Sequence, residues 1–140
     1  MFKWLAAKLV APKIRFSFKD ADEGSFYNVD TNHINLAPTY LGDFGFLRHV
    51  RDSHHFNETD VIAPCTWTLL HEVGHSHTWL EDEEEEQMRA ILRFMDGTTN
   101  PIVQNAYYNL ENEWEATEWA IKYIRRHPIF IKLINWMMQH

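Results

Sequence analysis

The first third of the chain carries the two-residue period of β-strands. Apolar and polar residues alternate from Ile14 to Lys19, which predicts a strand with one buried face. Residues 25–29 and 33–36 flank the turn-forming residues 30–32, and this arrangement predicts a β-hairpin. Residues 38–64 contain glycine, aspartate and asparagine with little periodicity. We therefore expect a long connection there that contains one short element or conceals a helix.

The rest of the chain has the period of α-helices. Pro64 suits a first helical turn, and the apolar residues after it predict a helix that is buried on more than one face. The next helix repeats apolar residues at i, i+3, i+4 and i+7; these are expected to face the core, with Glu85 and Arg89 on the solvent side. The apolar residues are Met88, Ile91, Leu92 and Met95. A long helix is predicted over residues 102–126 and a last apolar helix over 128–138.

The order of these elements predicts a single α+β domain. Strands precede helices, and no repeat or linker divides residues 1–140, so we expect a small antiparallel or mixed sheet and a C-terminal helical half. Lys8 interrupts the apolar stretch of residues 1–12 and leaves it too short for a signal peptide. These residues therefore predict a short amphipathic helix that closes the core. No run of 18 apolar residues exists, so stable membrane insertion is not expected, although a weak interfacial anchor stays open.

Charge and cysteine usage narrow the possible partners. The net charge of -7 and the scattered Lys and Arg argue against a nucleic-acid surface. Much of the excess acid lies in residues 81–86, which we interpret as a solvated helix start. Cys65 is the only cysteine, which excludes an internal disulfide and a thiolate zinc site and fits a cytoplasmic protein. The oligomeric state is left open.

The most informative motif is the pentapeptide at residues 71–75. His71 and His75 are four residues apart on a helix, so both imidazoles project from nearly the same line and can reach one cation. Glu72 then lies beside the metal, where a carboxylate can act as general base toward the attacking water. The alternative is a core helix whose histidines form internal hydrogen bonds.

A zinc site of this kind needs a third protein ligand. The long helix offers four glutamates, and only Glu113 falls within its apolar arc; Glu111, Glu115 and Glu118 fall at the edge or outside. Because a buried carboxylate must be paired, protonated or metal-bound, Glu113 is the first choice. Two alternatives stay open. In the first, the helix is rotated, so that Glu111 or Glu115 replaces Glu113 as ligand. In the second, Glu113 pairs with an arginine such as Arg48 or Arg89.

These two motifs together resemble those of the gluzincin metallopeptidases. Residues 70–75 and the later residues 113–120 look most like the small ImmA/IrrE-like group, in which an HExGH helix precedes an E-x-E-A-x-x-aromatic-Ala helix. The resemblance implies a zincin-like fold in which residues 33–36 form an edge strand at the rim of the cleft. It implies the zinc ligands His71, His75 and Glu113, with Glu72 as general base. The family commonly has Asp or Asn four positions after the ligand glutamate, where this chain has Thr117, whose hydroxyl is a weaker acceptor for a zinc histidine.

The function expected from this pattern is zinc-dependent hydrolysis of peptide bonds. An extended peptide or protein substrate would pair with the strand at 33–36. A second oxyanion donor is expected among Tyr107, Tyr108, His33 and His77, and His77 is otherwise an outer or surface residue. His54 and His55 are expected to face solvent. The alternative function is a binding or regulatory module that keeps the zincin fold but turns over poorly.

Overall fold

The fold is mixed α+β, as the order of predicted elements indicated. A computed structural model describes residues 1–20, 24–38, 44–58, 61–95 and 100–140, so Gly42, Asp43 and Asp60 of the predicted connection lie outside the described residues. The helices and strands, in chain order, are α1 (Phe2–Val10), β1 (Arg15–Ser17), β2 (Phe26–Asn28), β3 (His33–Asn35), α2 (Phe44–Ser53), α3 (Pro64–Thr78), α4 (Glu83–Phe94), α5 (Pro101–Tyr108), α6 (Glu111–Arg126) and α7 (Phe130–Gln139).

The three strands form a mixed sheet in the order β1-β3-β2. The predicted hairpin is confirmed, because β2 pairs antiparallel with β3 and Asn28 lies opposite His33. Asn32 in the turn has φ 49°, a left-handed conformation that asparagine tolerates. The expectation that residues 33–36 form an edge strand was wrong. β1 pairs parallel with the other side of β3, so both hydrogen-bonding edges of that strand are already in use.

The two motif-bearing helices, α3 and α6, form the centre of the molecule. Pro64 occupies the first turn of α3 as predicted, and the helix is buried on several faces, including Trp67, Leu70 and Val73. Gly74 allows the close approach of α6, because a Cβ at this position would lie only 2.5 Å from the backbone oxygen of Ala116. Backbone contact between the helices brings the side chains of the two motifs within reach of each other.

A helix not located by the sequence pattern, α2, lies within the predicted long connection. Its inner face is formed by His49 and Val50, which are buried, together with the half-buried Phe46. These residues follow helical spacing, but the pattern is recognised only when a histidine is counted with the apolar residues. The long connection was therefore partly a concealed helix.

The single long helix predicted over residues 102–126 is wrong, because the chain breaks into α5 and α6. The break lies at Asn109 and Leu110, and Leu110 adopts ψ 140° at the start of α6. The new helix start is stabilised from outside, since the Glu85 carboxylate accepts a 2.8 Å hydrogen bond from the Asn112 backbone N–H. A tertiary contact therefore supplies the cap that the local sequence lacks.

The predicted orientation of α4 is wrong for most of its apolar residues. Leu92 is buried as expected, but Met88, Ile91 and Met95, which were expected to face the core with it, are 47 to 56% exposed. Glu85 is buried and Arg89 is largely so, because both pair with polar groups of α6. Without these contacts the buried Glu113 carboxylate would lose a charged partner and the Asn112 N–H would have none, and buried polar groups without partners are costly. The exposed acids of residues 81–86 do form a helix start, since Asp82 accepts hydrogen bonds from the N–H groups of Glu84 and Glu85.

The predicted short helix at the start of the chain closes the core as expected. α1 packs against α7 and buries Ala6 and Ala7 completely. Within the part of the chain that the structure describes, no helix combines the length and the apolarity needed to cross a bilayer.

Candidate metal centre

Three buried side chains converge between α3 and α6. His71 Nε2 lies 3.0 Å from one carboxylate oxygen of Glu113, Oε1, and His75 Nε2 lies 3.1 Å from the other, Oε2. His71, His75 and Glu113 are each less than a tenth exposed. The proximity predicted from the two motifs is therefore confirmed, and this group could hold a metal ion.

The spacing of the donor atoms suits a small divalent cation. The candidate ligand atoms of the three residues all lie within 4.8 Å of one another. Ligands bound tetrahedrally at about 2.0–2.1 Å lie about 3.3–3.4 Å apart. The observed separations of 3.0 and 3.1 Å need to widen by only a few tenths of an ångström to reach that value. Two imidazoles and one carboxylate also leave a fourth position for water, as a catalytic site requires.

Thr117 determines which nitrogen of His71 faces Glu113. The Thr117 hydroxyl donates its hydrogen to the backbone oxygen of Glu113 at 3.1 Å, and the hydroxyl oxygen itself, Oγ1, lies 3.1 Å from His71 Nδ1. Because the hydroxyl has only one hydrogen, Nδ1 must be the donor in the second contact. Nε2 is then the ring nitrogen available to a cation. The expectation that Thr117 orients a zinc histidine matches this geometry.

Glu72 differs from the other groups of the site because its carboxylate has no ion-pair partner in the part of the chain that the structure describes. It is 8% exposed and makes no hydrogen bond to any of the described residues. Burial raises the pKa of Glu72 to about 7, although the neighbouring His71 lowers it in part. A carboxyl group with a pKa near neutrality exchanges protons readily at physiological pH, which is the property that a general base needs.

Arg89 is the charged partner of the site. Its Nη1 donates to Glu113 Oε2 at 2.7 Å and to the Tyr107 hydroxyl at 3.1 Å, and its guanidinium lies over the rings of Trp79 and Tyr107. Burial alone would raise the pKa of Glu113, but His75 and His71 outweigh it and hold the pKa well below its usual value. The Glu113–Arg89 pair, which was the predicted alternative to a metal ligand, is present, and the same carboxylate also lies beside His71 and His75.

The competing acidic residues on α6 do not reach the histidines of the motif. Glu111 and Glu115 are exposed, so the predicted choice of Glu113 is supported by geometry. Glu118 is partly exposed and lies 3.2 Å from His54 Nδ1. Arg48, the other predicted partner of Glu113, is exposed on α2.

The four candidates for a second oxyanion donor are distributed unequally. The Tyr107 hydroxyl accepts a hydrogen bond from Arg89, which also donates to Glu113. Tyr108 packs instead against Phe46 and His49, and His33 lies 2.8 Å from Ser17 Oγ on the sheet. His77 is exposed and stacks on Trp119, which agrees with the surface assignment.

The expectation that His54 faces solvent was wrong. Its side chain is fully buried and stacks on Trp114 with ring centroids 3.8 Å apart, while His55 is exposed as expected. Trp114 and Glu118 are four residues apart on α6, so one face of that helix provides both an aromatic surface and an acid for His54. Only the fold brings that face to a histidine 60 residues earlier in the chain.

The sequence pattern also did not predict that α2 packs an aromatic side chain against the site. Phe46 places its ring edge-on to His71 with centroids 5.3 Å apart, and it contacts Trp67 and Tyr108 in the same way. An aromatic ring against an imidazole restricts its rotation and keeps the site dry. A signal was present in the helical spacing of Phe46, His49 and Val50.

Comparisons of the chain with protein-family models, with curated proteins and with solved structures found no match.

Proposed function

We propose that this chain is a zinc-dependent metallopeptidase with a zincin-like fold of the gluzincin type. The observation that carries the proposal is the meeting of His71, His75 and Glu113 beside an unpaired, buried Glu72. Histidine and carboxylate donors with one open position are the donor set of a catalytic zinc site, whereas a structural site usually closes its fourth position with cysteine. The only cysteine, Cys65, forms no disulfide and is compatible with a cytoplasmic enzyme.

The residues of the site have separate roles in the proposed amide hydrolysis. Zinc, when bound by His71, His75 and Glu113, would act as a Lewis acid toward the scissile carbonyl and the attacking water. Glu72 accepts a proton from that water and delivers it to the leaving amine, as its pKa of about 7 allows. Thr117 keeps His71 in one orientation and one tautomer. Arg89 holds the Glu113 carboxylate from its outer side and neutralises its charge.

The substrate that fits this proposal is an extended peptide or protein segment. Pairing with β3 is excluded by the sheet order, so the strand available to a substrate on the side of α3 is β2, which packs against that helix. Its outer edge carries backbone groups that an extended chain can bind without strong sequence preference.

Metal analysis tests the ligand set. Purified wild type should contain about one zinc per chain, Glu113→Ala should lose it, and the matched variant Glu115→Ala should keep it, because Glu115 is exposed on the same helix. Zinc retained by Glu113→Ala, or lost from Glu115→Ala alone, contradicts the assignment.

Activity on an unstructured protein substrate tests the reaction. Glu72→Gln should abolish cleavage while zinc content is unchanged, since the residue contributes a proton acceptor and no ligand. The alternative function, a binding or regulatory module with little turnover, is favoured by the Arg89 contact, which competes for one oxygen of Glu113. A module of that kind would bind peptide equally well with Glu72→Gln and would cleave nothing in either form.

A further inference from the structure

Helix α1 presents its large apolar side chains to solvent instead of to the core. It buries the small residues Ala6 and Ala7, while Phe2, Leu5 and Leu9 are 43, 37 and 51% exposed. These three residues recur at i, i+3 and i+7 and form one row along the helix. A helix that only covers a core has the opposite distribution, with large apolar residues inside.

A second exposed apolar row runs along α7. Leu133 and Trp136 are 48 and 49% exposed, and Ile129, which lies just before the helix, is 83% exposed. The three residues are at i, i+4 and i+7, which is the spacing of one helix face. The rings of Phe2 and Trp136 touch with centroids 5.5 Å apart, so the rows of α1 and α7 meet. We call this combined surface the terminal apolar face; it consists of Phe2, Leu5, Leu9, Ile129, Leu133 and Trp136. An exposed apolar surface of this extent marks an interaction site.

The charge of the chain is divided between its segments. Residues 1–19 and 119–140, which contain α1 and α7, carry no Asp or Glu, and all 20 acids lie between residues 20 and 118. The basic residues of the two acid-free segments are Lys3, Lys8, Lys13, Arg15, Lys19, Lys122, Arg125, Arg126 and Lys132. The two segments that contain α1 and α7 therefore carry a net positive charge, although the net charge of the whole chain is -7.

We propose that the terminal apolar face docks the protein on the surface of an anionic lipid bilayer. Apolar and tryptophan side chains enter the boundary between headgroups and acyl chains, while lysines at the rim attract the anionic headgroups. Lys132 is exposed beside Leu133 on α7 and is the lysine of this rim that is free to meet a headgroup. Lys8 on α1 is half-buried and donates to the Ile14 backbone oxygen at 2.7 Å, so it adds charge near the exposed Trp4 but no free ammonium. Such docking leaves the helices parallel to the surface and requires no segment that spans the bilayer.

A second copy of the chain fits this face less well. In a two-fold symmetric pair the same surface meets itself, so the lysines around one face would oppose those around the other. Neither acid-free segment supplies an Asp or Glu side chain to compensate this repulsion. The charge of an anionic bilayer, in contrast, is complementary over the whole face.

Co-sedimentation with vesicles tests the proposal on the full chain. Binding is expected to phosphatidylcholine vesicles that contain about 30 mol% phosphatidylserine and not to pure phosphatidylcholine, and 1 M salt should weaken it because the Debye length falls to about 3 Å. The double variant Leu133→Gln with Trp136→Gln should bind at least about tenfold more weakly. The control Ile91→Gln removes an equally exposed apolar residue from the acidic α4 and should bind as wild type does.

Lys132→Ala tests the electrostatic part separately. Its loss should weaken binding to the anionic vesicles about fivefold, and circular dichroism should show a native fold in each variant. Equal binding to both vesicle types, or unchanged binding by both the double variant and Lys132→Ala, overturns the proposal. A stable dimer in sedimentation velocity that the double variant dissociates would assign the face to a second copy instead. None of these measurements depends on zinc or on cleavage.

Discussion

The close approach of α3 to α6 at Gly74 leads to a quantitative prediction for Gly74→Ala. The added methyl carbon would lie 2.5 Å from the Ala116 carbonyl oxygen, whereas ordinary van der Waals contact begins at 3.4 Å. Relief of the clash requires α3 and α6 to separate by about 0.9 Å. His71 and Glu113 lie one turn earlier on the same two helices, so their 3.0 Å contact would lengthen toward 3.9 Å.

The expected loss of stability combines two opposing effects. Overpacking against a rigid backbone costs about 3 kcal/mol, at the upper end of the usual range, and better helix propensity returns about 1 kcal/mol. We expect a net loss of about 2 kcal/mol and a melting temperature about 6 °C lower, measured by urea and thermal denaturation of the metal-free protein. Zinc affinity, measured by competition with a chelating dye, should fall by at least about tenfold because the ligands no longer converge.

Two further variants separate the clash from other effects of the substitution. Ser76→Ala adds helix propensity to the same helix without filling the contact with α6, so it should retain zinc affinity. Ala116→Gly in the Gly74→Ala background should not restore zinc binding, because the methyl group meets backbone atoms of residue 116. Wild-type zinc affinity in Gly74→Ala, or rescue by Ala116→Gly, would refute the reasoning.

Three other substitutions test the surroundings of the site. Thr117→Val removes the acceptor for His71 Nδ1–H and should weaken zinc binding about 10–100-fold in a competition titration, while Thr117→Ser should preserve it. Burial, with a smaller contribution from His54, lowers the pKa of His49 from 6.5 to about 4. The contribution of neutral His49 to the free energy of unfolding is therefore complete above pH 6.5 and is lost as the pH falls toward 4. Urea denaturation at pH 7 and pH 4 should show a loss of stability that is smaller by about 3 kcal/mol in His49→Phe than in the wild type. An unchanged pH dependence would contradict this assignment. Glu85→Ala leaves the Asn112 N–H without its partner and should lower the free energy of unfolding by about 1–3 kcal/mol, whereas Glu86→Ala, at an exposed neighbour, should have little effect.

The sequence predicted those features that local spacing determines. Helix α3, the β2–β3 hairpin and the inward direction of Glu113 all follow from periods of 3.6 or 2 residues. The predicted direction of α4 failed, because its apolar stripe indicated one face while Glu85 and Arg89 have their partners on α6, more than 20 residues later. The central place of β3 was missed for the same kind of reason, since β1 pairs directly with β3 although β2 lies between these two strands in the sequence. Distant polar partners leave no periodic trace in the sequence.

The failed orientation of α4 also explains how the candidate site is supported. Glu85 and Arg89 are one turn apart on α4, and both reach the first turn of α6, where Asn112 and Glu113 follow each other. One contact caps α6 and the other holds the carboxylate that faces His71 and His75. Turning α4 so that Met88 and Ile91 face inward would bury more apolar surface but would leave an uncapped helix and an unpaired carboxylate. The exposed methionine and isoleucine are therefore the consequence of fixing Glu113 in position, which indicates that the polar layer at the site determines this part of the fold.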